Sequence, residues 1–144
     1  MAKLAWAISC HRIIVDSETN SVSYIDSLEQ IGATALPVTV AFGLGLVWFR
    51  ELAGEAIMLR VTVINSSGGV VSRVEGQLLH PTAMYHRANL TVEATFRVLG
   101  VHDVVVEQKA GEGWIEEARI PLTIAMLPAR ADVSDGDTSP IPGT

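Results

Sequence analysis

Ile57-Met58-Leu59-Arg60-Val61-Thr62-Val63-Ile64 and Val70-Val71-Ser72-Arg73-Val74-Glu75-Gly76-Gln77-Leu78-Leu79 flank the short run Asn65-Ser66-Ser67-Gly68-Gly69, and this stretch decides the fold. Ile57, Leu59, Val61 and Val63 alternate with Met58, Arg60 and Thr62. That period of two gives a strand one face toward oil and one toward water. Small residues and two glycines between the arms make positive φ inexpensive, so the stretch is predicted to be a β-hairpin.

The same pattern extends in both directions. Leu4 to Val15 is apolar and β-rich, and Asp16 to Ser21 supplies turn chemistry after it. Val22 to Ile31 alternates only approximately, which predicts a bulge. Pro37 opens an apolar element, Val38 to Arg50, because the start of a strand tolerates the missing donor. Within it Gly43 and Gly45 read as gaps where a bulky side chain or another backbone approaches.

Downstream of the hairpin, His80 to Arg87 has no clean period and reads as a connection. Ala88 to Leu99 is predicted to turn Leu90, Val92, Ala94, Phe96 and Val98 inward. Val101 to Gln108 and Trp114 to Leu127 form a second hairpin across Lys109 to Gly113, with Pro121 at an edge. Seven to eight short strands without a helix predict an all-β antiparallel sandwich of immunoglobulin-like or C2-like type over residues 1–127. Residues 128–144, made of Ala, Asp, Ser, Gly, Thr and Pro with little to bury, are predicted to be a flexible acidic tail.

Composition narrows the function classes. A chain of 144 residues that is 49% hydrophobic fills one core without disulfide or metal. Its net charge of -6 opposes phosphate backbones and anionic lipid, which argues against nucleic acid as a partner. No apolar run approaches the roughly 20 residues that span a bilayer, so no membrane association is expected. Leu4 to Cys10 after Lys3 is too short for a secretory apolar core, and the one cysteine has no internal partner, so the expected location is cytoplasmic.

The order of landmarks carries a resemblance. A short apolar strand ends in Cys10, and Val22-Ser23-Tyr24-Ile25-Asp26 follows a turn. Pro37 opens a long apolar strand, and the Gly-turn hairpin, Ala88-Asn89-Leu90, Gly100 and Ile120-Pro121-Leu122 follow in turn. Over about residues 3–127 the chain resembles a family of small uncharacterised bacterial proteins made of one β-sandwich-like domain. The resemblance implies the fold and carries no activity. The chain departs from the family at His11, where an acid would follow the cysteine.

No catalytic constellation emerges. Cys10 and His11 are adjacent in a predicted strand, so their side chains point to opposite faces and cannot act as nucleophile and base. His11, His80, His86 and His102 lack metal-ligand spacing, and Asp132 to Asp137 lacks the later glutamate of a calcium loop. Gly43-Leu44-Gly45 sits in a strand, not before a helix, so it is no nucleotide loop. No catalytic, cofactor-binding or metal-ligating residue, and no cofactor, is assigned.

The outstanding signal is a surplus of apolar residues on strands. Val47, Trp48, Phe49, Met58 and Ile64, with Val104 to Val106, exceed what a lone sandwich hides. The expected function is a non-enzymatic interaction module, self-associating or an accessory subunit, whose partner is a protein and first of all itself. The alternative is a ligand-binding or metal-dependent hydrolytic module built on His80, Tyr85, His86 and Arg87, because loops on a rigid scaffold host such sites. The small molecule it would take is unspecified.

Overall fold

The computed structural model describes residues 1–128, and the predicted tail lies outside them from residue 129 onward. Nine strands run through the described residues: β1 (Lys3–Val15), β2 (Val22–Ser27), β3 (Gln30–Ala33), β4 (Val38–Phe49), β5 (Ile57–Ile64), β6 (Val70–Leu78), β7 (Tyr85–Phe96), β8 (Gly100–Ala110) and β9 (Gly113–Met126). They form a four-stranded sheet in the order β2-β1-β4-β7 and a five-stranded sheet in the order β3-β9-β8-β5-β6. Every pairing is antiparallel except β3 with β9. The all-β sandwich is thus as the alternation requires, with one parallel pair added at an edge.

The hairpin across Asn65 to Gly69 is formed by β5 and β6. Asn65 closes it: its Oδ1 accepts the N–H groups of Ser67 and Gly69 at 3.1 and 2.8 Å, while Gly68 takes φ +88°. Ile57, Leu59, Val61 and Val63 are buried in the core, as their period demands. They meet Phe42, Leu44, Leu46 and Trp48 of β4 and Val92, Ala94 and Phe96 of β7 across the layer, with Val104 and Val106 beside them on β8.

Two expectations need correction. Val22 to Ile31 is not one strand: at Asp26, φ is +56°, and the chain leaves the first sheet as β2 and joins the second as β3. That crossover raises the strand count to nine among the described residues. Val98, assigned inward, lies beyond the end of β7 and is exposed, since the chain turns at Gly100 with φ +107°.

The two lateral seams of the sandwich differ. Where β6 and β7 meet, Ser72 Oγ donates to the Glu93 carbonyl at 2.9 Å and links the sheets. On the opposite side β1 pairs with β2 only from Cys10 onward, and β9 pairs with β3 only from Thr123 onward.

Candidate functional site

The outer faces of the two sheets have opposite chemistry. On the five-stranded sheet, Arg60 pairs with Glu107 at 2.8 Å and lies 4.4 Å from the centre of the Trp114 ring. Arg119 joins Asp103 and Glu116 at 2.8 and 2.7 Å, and Arg73 donates to Thr62. These long side chains cover Val105 and Thr62, which are buried although they point away from the core. Met58 is exposed on this face among charges, and Ile64 is only half-buried at the strand end.

The four-stranded sheet presents aromatic rings instead. Because Phe42, Leu44, Leu46 and Trp48 fill the core, their alternates Gly43, Gly45, Val47 and Phe49 face outward. Cross-strand registers place Tyr85 beside Phe49, and Arg87 and Trp6 on either side of Val47. Phe49 and Tyr85 meet edge to face at 5.1 Å, and Trp6 and Tyr24 do so at 5.5 Å. Of the chain's three Trp, three Phe and two Tyr, four therefore sit on one outer face.

The glycines make this face possible. A β-carbon at Gly45 would collide with the Tyr24 ring, and one at Gly43 would stand 2.8 Å from Ile13 Cγ1 and 2.9 Å from Cys10 Sγ. The β1–β2 hairpin thus folds its side chains onto the bare backbone of β4, as the reading of strand gaps anticipated. Tyr24 then donates its hydroxyl to Asn89 Oδ1 at 3.1 Å. Burial pushes the Tyr24 phenol above its ordinary pKa, so it stays a neutral donor.

The sequence candidates divide sharply. Trp48 is 0% exposed and belongs wholly to the core, so it offers no contact surface, whereas its neighbour Phe49 is 38% exposed. Val47 points to the same outer face as Phe49 but is nearly covered by the rings around it. Trp6, Tyr24 and Tyr85 completed this face without being singled out for it. The signal that would have found them is the pairing register, which sequence periodicity does not supply.

The His80–Arg87 grouping is partly dissolved. Tyr85, His86 and Arg87 lie on β7, not in a connection, because Arg50 ties the start of that strand down. Tyr85 and Arg87 face out, while His86 pairs with Trp48 on the inner side. The His80 and His86 rings do meet, at 6.5 Å. Yet His80 Nδ1 accepts the Thr82 and Ala83 N–H groups at 3.2 and 2.8 Å, and His86 Nδ1 faces Arg50 Nη2 at 2.9 Å. Burial, then the Arg50 and His80 charges, hold the His86 pKa below its ordinary value. His86 is neutral and accepts from Arg50.

Arg50 is the residue that sequence reasoning missed. Completely buried, it donates to the carbonyls of Glu55, Ala83 and Leu78 at 2.7, 3.2 and 3.2 Å, besides facing His86. It pins the loop after β4 to the connection between β6 and β7. The remaining titratable candidates stand apart: Cys10 is buried against Gly43 with its thiol pKa raised by burial, His11 is exposed, and His102 packs on Phe96 at 5.1 Å. Among the described residues no group of three or more His, Cys, Asp or Glu is placed to hold a metal ion. No helix among them is long and apolar enough to cross a membrane.

No protein family and no curated protein matches the chain.

Proposed function

We propose that this protein is a non-enzymatic β-sandwich interaction module that self-associates through the outer face of its four-stranded sheet. The observation that supports this most is the concentration of Trp6, Tyr24, Phe49 and Tyr85 around Val47, with Arg87 beside Val47 and Lys3 beside Phe49 at the margin. Protein interfaces are enriched in aromatic residues and arginine and depleted in lysine and carboxylates at their centre. The part of this face around Val47, flanked by Trp6 and Arg87, has that composition, with Lys3 at its rim. It is also self-complementary in kind: the Arg87 guanidinium of one copy suits the ring faces of another. Burying the rings contributes about 25 cal/mol per Å² of apolar area, against the entropy of association.

The opposite face argues for the same assignment by contrast, since five of its charged side chains, Arg60, Glu107, Asp103, Glu116 and Arg119, are already paired within the chain. The buried, unpaired Cys10 suits a reducing compartment, and we assign the module to the cytoplasm. Light scattering over a range of concentrations tests the proposal. A mass that rises with concentration in the wild type, and not in Phe49→Ser, supports it. A monomer throughout refutes self-association.

A further inference from the structure

The open seam of the sandwich differs in kind from the aromatic face. A groove of about 430 Å³ runs along it between Ala7, Ile8 and Ser9 of β1 and Ile120, Pro121 and Thr123 of β9, closed at one end by Ser27, Leu28 and Glu29. At that end both strands are satisfied: Leu28 N–H donates to the Ser9 carbonyl and Thr123 N–H to the Glu29 carbonyl, each at 2.9 Å. Successive residues of a strand direct their N–H and C=O groups to alternate sides. Ala7, two residues before Ser9, therefore turns both backbone groups to the groove, as does Arg119 on the other wall, and Pro121 adds a carbonyl there. Among the described residues neither strand has a partner along these edges, since β1 meets β2 only from Cys10 and β9 meets β3 only from Thr123.

We infer that this seam is a strand-addition site that takes one extended polypeptide segment from a partner. Backbone groups alternating along a strand edge are matched by another extended backbone and by little else. The groove floor gives the occupant its side-chain chemistry: Ala7, Leu28 and Ile120 are half-buried and pack against the core, so inward residues of the added strand are apolar and small. Glu29 at the closed end is exposed and favours a basic residue there. Pro121 fits the same reading, since its missing donor faces the unpaired side and β8 loses nothing.

The test uses the full chain and a short synthetic peptide that alternates valine with threonine and ends in lysine. Amide hydrogen exchange at Ala7 is fast in the free protein and slows by at least about tenfold with the peptide, a change equivalent to occupancy well above the dissociation constant. Ala7→Pro removes the N–H that the added strand needs without touching the pairing of β1 with β4, and weakens the peptide by about tenfold or more. Phe49→Ser leaves peptide binding unchanged, which separates this site from the aromatic face. The inference is overturned if the Ala7 amide is already protected in the free chain. It is equally overturned if the peptide fails to bind, or binds Ala7→Pro as tightly as the wild type.

Discussion

Tyr24 occupies the space that a side chain at Gly45 would fill, and this one relationship joins the β1–β2 hairpin to the centre of the four-stranded sheet. The glycine is required by contact, not by backbone angle, because Gly45 is not among the residues with positive φ. Replacing Gly45 by Ala should displace the ring, break the Tyr24 to Asn89 hydrogen bond and cost about 1–3 kcal/mol, the usual penalty of overpacking. In a Tyr24→Ala background the same substitution should cost far less. Thermal denaturation of the four proteins in a double-mutant cycle measures the coupling, and additive losses would show that ring and glycine do not interact.

Among the described residues Arg50 makes no ion pair with a carboxylate; it is held by three carbonyl oxygens and His86 Nδ1. Arg50→Met keeps the length of the side chain but strands those acceptors, so a loss of about 3 kcal/mol or more in urea unfolding is expected. Arg50→Lys should recover only part of it, because an ammonium cannot reach three separated carbonyls in the guanidinium's planar fork.

His86 links stability to pH. Its pKa in the folded chain lies below the ordinary 6.5, so the unfolded chain takes up this proton first as the solution is acidified. The stabilisation is complete above 6.5 and is lost as pH falls from there toward the folded value. His86→Asn, which retains an acceptor for Arg50 but does not titrate, should flatten the fall in melting temperature between about pH 7 and pH 5. An unchanged slope would place the titrating group elsewhere.

Trp48 and Phe49 are neighbours with opposite roles. Trp48→Ala should destabilise the protein by about 3–5 kcal/mol through loss of a fully buried ring. Phe49→Ser, on the exposed face, should leave melting temperature within a few degrees of the wild type.

Period-two alternation carried most of the fold, because burial of one strand face imposes it directly: β5 and β8 are where their patterns put them. β7 keeps the alternation of its middle but begins at Tyr85 and ends at Phe96 instead of running from Ala88 to Leu99. It failed where the chain changes sheet. Asp26 kinks within an alternating run, and nothing in the residue order of Val22 to Ile31 distinguishes a bulge from a crossover. The candidate face was half legible. Phe49 and Val47 were visible as apolar surplus, but Trp48 carries the same signal and is core, since composition does not assign a face. Trp6, Tyr24 and Tyr85 join them only through strand register, which long-range pairing sets. Arg50 was invisible for a similar reason: its acceptors lie as far as 36 residues away in sequence.

The most direct measurement is oxidative footprinting of the intact protein at low and high concentration. If the outer face of the four-stranded sheet is where copies meet, labelling of Trp6, Phe49 and Tyr85 falls as concentration rises, while Met58 and Val74 on the other sheet react as before. Equal reactivity of the three aromatic residues at both concentrations, or protection confined to Met58 and Val74, would contradict the account.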